Sequence, residues 1–120
     1  MVNRIQEVLR ELCGRADVRG AAVVTLDGLV AASELVEGMA ADVVAGLASY
    51  LATTADRSLQ EGGFGPCRRM SVDAEHGVVV LVALEDSYLV VLIDASATDR
   101  VPDDAIDAVA ARLRDAAHLS

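Results

Sequence analysis

The chain contains no lysine, and all ten of its basic residues are arginines. That absence excludes a Schiff-base lysine, a lysine general base and the lysine of a phosphate-binding P-loop. Histidine is almost as scarce, limited to His76 and His118, and cysteine stops at Cys13 and Cys67. Neither cysteine belongs to a C-x-x-C, and these side chains cannot be spaced into a metal-ligand set, so no metal is expected and both thiols read as reduced. No apolar run approaches the ~20 residues of a membrane span. The N-terminal MVNRIQEVLREL carries charges through its apolar pattern, unlike a signal or transit peptide, and the protein is expected to be cytoplasmic. Positive charge is in deficit as well: the net charge is -9 and the pI about 4.4, a balance that repels phosphate backbones and anionic lipid surfaces. Neither nucleic acid nor a membrane is an expected direct partner.

What is present is apolar material, 53% of 120 residues, enough for a core without staples and consistent with one domain over 1–120. Ile5, Val8, Leu9 and Leu12 fall at helical spacing between a capping Asn3 and a terminating Gly14. GAAVVTLDGLVAAS at 20–33 reads as a hairpin, with strands Ala21 to Leu26 and Leu29 to Ala32 and a two-residue type I′ turn at Asp27-Gly28. Its strands lack apolar/polar alternation, so both faces are expected to be covered. Met39 to about Leu59 forms the longest helix, with Val44, Leu47 and Leu51 as its apolar stripe and Val43 and Tyr50 widening it. CRRMSVD, GVVVLVAL and SYLVVLID read as three strands with short connectors, and Pro102, followed by Asp103 and Asp104, starts a last helix whose inward face is Ile106, Val109, Ala110, Leu113 and Ala117. The order α-β-β-α-β-β-β-α, with uniformly apolar late strands, predicts an α/β (α+β) fold. It is a three-layer α/β/α sandwich around one five-stranded antiparallel sheet, with the terminal helices on one face and the middle helix on the other.

Little in this chain is suited to catalysis. The loop GGFGP at 62–66 lacks the lysine and hydroxyl of a phosphate cradle and reads as a hinge. His76 lies in a tight turn and His118 near a chain end, neither beside a nucleophile, and no pair of carboxylates is set apart by a buried apolar environment. No catalytic residue, cofactor or nucleotide is therefore expected, and the protein reads as a non-enzyme. Two surface features remain. Ala41, Ala45, Ala48, Ala52 and Ala55 draw a line of small side chains along the middle helix, where a second helix could approach closely, and mid-helix Gly46 suits crowded backbones. CRRMSVD is half polar, with Met70 and Val72 on one side and Arg69, Ser71 and Asp73 on the other, as befits an edge strand open to pairing with a second copy. A charged, blocked edge is the competing reading of that strand. Asp42, Ser49, Thr53 and Asp56 stand away from the Val44, Leu47 and Leu51 stripe and are candidates for contact with a partner protein.

With the element order in hand, the sequence resembles the Roadblock/dynein light chain family, particularly its bacterial branch. The residues that carry the resemblance are the GAAVVTLDGLVAAS hairpin, the helix MAADVVAGLASYLATTA, the strand RRMSVD, the pattern GVVVLVALEDSYLVVLID and the acidic-start last helix. The resemblance implies a Roadblock-like (profilin-like) fold and a homodimer built by the middle helix and the third strand into a continuous sheet. It also implies a role in binding or regulating a Ras-like small GTPase. Members either stimulate GTP hydrolysis or only scaffold. Arg69 as an arginine finger is disfavoured, because an arginine buried in a dimer seam cannot also reach a phosphate. Two other readings stay open: a small-molecule sensor of profilin-like or PAS-like type, and a structural adaptor with no GTPase partner.

Overall fold

The computed structural model describes residues 4–96 and 101–119, with side chains up to residue 116. Asn3, the expected cap of the first helix, lies outside the described residues, as do the side chains of Ala117 and His118. In chain order the elements are α1 (Arg4–Cys13), β1 (Val18–Thr25), β2 (Val30–Leu35), α2 (Ala41–Glu61), β3 (Arg69–Ala74), β4 (Gly77–Ala83), β5 (Ser87–Asp94) and α3 (Asp103–Leu119). The five strands form one sheet in the order β2-β1-β5-β4-β3, and every neighbouring pair is antiparallel. This matches the expected element order and architecture, and it makes the half-polar β3 an edge strand.

The uniformly apolar strands are those with a helical layer on each side. Alternate residues of β1, β4 and β5 point to opposite faces. One set, including Ala21, Val80, Leu89 and Val91, packs against Val8, Leu9 and Leu12 of α1 and Ile106, Val109 and Leu113 of α3. The other set, Ala22, Val24, Leu81, Val90 and Leu92, packs against Val44, Ala45 and Ala48 of α2. The terminal helices thus share a face and α2 takes the other, as the apolar pattern demanded.

The hairpin departs from expectation twice. Its turn is not type I′: among the described residues only glycines have positive φ, so Asp27 does not, and Gly28 alone supplies the left-handed residue at φ 87°. The Gly28 amide donates to the Thr25 carbonyl at 3.0 Å and the Thr25 amide to the Leu29 carbonyl at 2.8 Å, a tight turn closed by a glycine bulge, with the strand register shifting between Val23 and Val24. The Thr25 hydroxyl adds a bond to the Asp27 carboxylate at 2.6 Å, holding Asp27 in an ordinary conformation. The second departure is exposure. β1 is sandwiched, but β2 is the outer edge, and Leu29, Val30 and Ala31 lie open to solvent.

The connection through α2 sets up everything that follows. It must carry the chain from one edge of the sheet, β2, to the other, β3. α2 begins beside the end of the sheet where β1 starts, as the Val36 amide donates to the Arg19 carbonyl and Met39 to Val36. It ends beside the opposite end, where the Asp56 carboxylate accepts from the Cys67 amide at 2.6 Å and from the Tyr88 hydroxyl at 3.0 Å. The helix therefore crosses the sheet diagonally and leaves one corner, the turn between β3 and β4, uncovered.

Candidate interaction surface

α2 has two unlike flanks, and the structure assigns them differently from the sequence. Ala45, Ala48 and Ala52 are 0%, 1% and 3% exposed, seated on the sheet of their own chain, so these three alanines of the expected dimer line cannot meet a second copy. Ala41 and Ala55 are half-buried at the margins of the same face. The physical reason is spacing: a helix lying flat on a sheet of Val and Leu needs small side chains where the two surfaces come closest, and Ala45, Ala48 and Ala52 fill that line. The larger side chains are then left outside, with Val43 67%, Leu47 46% and Tyr50 70% exposed at i, i+4 and i+7. Of the expected inward stripe, Val44 is buried and Leu51 half-buried, while Leu47 is turned outward. Gly46 is also exposed, and a Cβ there would meet nothing within 4 Å, so no crowding inside this chain accounts for it.

The four candidate partner residues share the other flank. Asp42 and Thr53 are exposed, the Thr53 hydroxyl donating to the Ser49 carbonyl one turn back at 2.9 Å. Ser49 is half-buried and donates to the Leu26 carbonyl at 3.3 Å, which ties α2 to the hairpin tip. Asp56 is spent inside the chain: one carboxylate oxygen caps the Cys67 amide and the other holds the Tyr88 hydroxyl. It is a brace between α2, the loop before β3 and the sheet, and this corrects its assignment as a contact residue. Because the Ser49 flank looks toward the β1–β2 hairpin, the Leu47 flank looks the opposite way, toward β4 and β3.

On β3, Ser71 and Asp73 are exposed along the unpaired edge. Arg69 is half-buried and held by its own chain, its guanidinium donating to Asp107 at 2.6 Å and pairing with Asp103, both in the first turns of α3. This fastens the edge strand to the helical layer beneath it and leaves no free fork for a phosphate.

Burial is the main cause of the shifts of two thiols and one phenol. Burial pushes the Cys13 thiol up to about 11, with the Glu34 carboxylate adding to the effect, and burial next to Asp56 raises Cys67. A thiolate nucleophile needs the opposite shift. Burial and the bond to Asp56 hold the Tyr88 hydroxyl protonated, up to about 12. Among the described residues no group of three or more His, Cys, Asp or Glu could hold a metal ion.

The uncovered corner is a cavity of about 360 Å³ whose walls include Met39, Ala74, Val79 and Leu92, with Arg19 and His76 also lining it. Beneath α2 the space is filled by Val, Leu and Ala side chains; this cavity lies beside the helix, open at the β3–β4 turn. Composition could not have shown it, since it results from the diagonal of α2.

Comparison with known proteins completes the picture. The Roadblock/LC7 domain matches residues 4–93 of this chain. The Methanocaldococcus jannaschii protein MJ0310 is 37% identical over 91 residues, 76% of this chain and 80% of that one. Among solved structures, Myxococcus xanthus MglB superposes with a TM-score of 0.89 over 98% of each chain at 13% identity. A Roadblock/LC7 domain from Streptomyces avermitilis superposes with 0.78 over 94% of this chain and 97% of that one at 20% identity. At such identities the superpositions speak for the fold.

Proposed function

The chain belongs to the Roadblock/LC7 domain family, and from that premise we propose that it is a homodimeric regulator or adaptor that binds a Ras-like small GTPase and acts through association, not through catalytic groups of its own. The observation that carries the reading is where large apolar side chains remain in solvent. Val43, Leu47 and Tyr50 line the flank of α2 that looks toward the open β3 edge, and Leu26, Leu29 and Val30 crown the hairpin beside the other flank. Clustered exposed apolar surface on a small protein marks contact with another protein.

The first group and the β3 edge are continuous, and they suit a two-fold contact in which β3 pairs with β3 and the α2 flanks meet. This replaces the alanine line with Val43, Leu47 and Tyr50 and keeps Ser71 and Asp73 in the seam. The second group, with Asp42, Ser49 and Thr53, stays accessible in such a dimer and is the proposed GTPase face. Arg69, engaged with α3, has no part in hydrolysis.

Light scattering behind a sizing column should give twice 12.5 kDa at micromolar concentration. Binding is then measured to a Ras-like small GTPase from the same organism, loaded with GDP or with a non-hydrolysable GTP analogue. Regulation requires unequal affinity for the two states; equal affinities would remove the thermodynamic basis for switching and leave a plain adaptor.

A further inference from the structure

Phe64 is the protein's only phenylalanine, and it is 80% exposed. It does not sit on a loose loop. Its amide donates to the Leu59 carbonyl at 2.8 Å, and Gly63 and Gly65 on either side adopt φ of 82° and 85°, conformations open to glycine but strained for other residues. The chain thus holds an apolar ring outward at the C-terminal end of α2, just ahead of β3. At the opposite end of β3, on the α2 side of the sheet, lies the empty corner of about 360 Å³ walled by Met39, Ala74, Val79 and Leu92. An apolar cavity of ~150 Å³ already suffices for benzene.

We propose that each Phe64 fills this cavity of a second copy, so that the pocket is completed only in the dimer. The inference rests on the β3–β3 pairing proposed above, and symmetry supplies the placement. In an antiparallel pair, opposed residues share a face, so a two-fold β3 pair centres on Ser71 or on Val72. Either centre sets Arg68 and Arg69 of one copy beside residues 73–76 of the other. Continuing in the same direction, Phe64 arrives at the second copy's β3–β4 turn, which forms the mouth of its cavity. Because residues 62–67 descend from α2, the ring arrives on the α2 side, where Met39, Val79 and Leu92 face. The strand's charges agree with this register. RRMSVDAE is basic at its start and acidic at its end, so Arg69 of one copy stands opposite Asp73 or Glu75 of the other, and the cross-strand pairs are opposite in sign at both ends of the seam.

The chain has no tryptophan, so Phe64→Trp introduces a single indole reporter. At a concentration where light scattering shows a dimer, its emission should be blue-shifted, and it should move red on dilution in step with the fall in mass. Phe64→Ala, which leaves the protomer's core intact, should weaken the dimer at least about a hundredfold, since two rings lose their burial. In the Phe64→Trp background, Ala74→Glu at the exposed cavity mouth should turn the emission red at concentrations where the protein is still dimeric. Red emission from intact Phe64→Trp dimers would overturn the inference while leaving the dimer standing. Blue emission that persists in a monomer, or that ignores Ala74→Glu, would place the ring against its own chain and overturn it too. A wild-type mass of one chain at micromolar concentration would instead refute the underlying dimer.

Discussion

Leu47 and Ala48 are neighbours in sequence and opposites in the fold, and a glutamate at each position separates two accounts of α2. Val43, Leu47 and Tyr50 are 67%, 46% and 70% exposed. Full burial of such side chains is worth ~1.5–3 kcal/mol, so a seam that covers what remains gains about 1–2 kcal/mol from each, or about 6–12 kcal/mol from the six of two protomers. Association itself costs ~4–15 kcal/mol, which leaves a narrow margin. Leu47→Glu removes about 2–3 kcal/mol of that gain and brings two carboxylates into the seam, and the dimer Kd should rise at least ~100-fold. Its fold should be unharmed, because position 47 is turned away from the sheet. Ala48 is 1% exposed among Leu81, Val90 and Ala45. A glutamate there overpacks the layer by ~1–3 kcal/mol and buries a charge with no partner at a further several kcal/mol. Against a total stability of ~5–15 kcal/mol that should unfold the protein. Light scattering and thermal melts by circular dichroism distinguish the two variants. Should Ala48→Glu give a well-folded monomer while Leu47→Glu stays a dimer, the alanine line is the interface and the assignment of α2's faces is wrong.

Three further outcomes follow from the polar contacts. Tyr88 is protonated in the fold up to about 12 against an ordinary 10.0, so its contribution is complete below pH 10 and is lost as pH rises from 10 to 12. Denaturant titrations should show stability falling by about 2–3 kcal/mol over that window, and Tyr88→Phe should remove this component. Asp56→Ala should cost about 2–4 kcal/mol in urea unfolding, since it strands both the Cys67 amide and the Tyr88 hydroxyl, far more than loss of an exposed helix residue would. Arg69→Ala should cost no more than about 1 kcal/mol, because Asp103 and Asp107 are well exposed and solvent screens the pairs. Any stimulation of a GTPase should survive that change, and loss of stimulation with dimer and complex intact would reinstate the arginine finger.

Periodicity and turn chemistry determined the element order, the antiparallel sheet and its two helical layers, because runs such as GVVVLVAL have only one stable environment, a strand covered on both faces. The half-polar strand announced itself as an edge for the same reason. Apolar pattern alone could not decide the rotation of α2. Alanine and leucine both count as apolar, so the stripe through Val44, Leu47 and Leu51 and the line through Ala45, Ala48 and Ala52 were equally eligible to face inward. The choice belongs to the tertiary structure: close approach of a helix to a sheet selects the small side chains and expels Leu47. Asp56 stands away from the Val44, Leu47 and Leu51 stripe, which in the sequence makes it a candidate contact, yet its partners, Cys67 and Tyr88, are 11 and 32 residues away and are delivered only by the fold. The cavity beside Val79 has no local signature, and the glycines that flank Phe64 mark its turn but not what the ring faces. Cavity and outward ring both arise because α2 must run diagonally from one sheet edge to the other, baring one corner and ending above the opposite one.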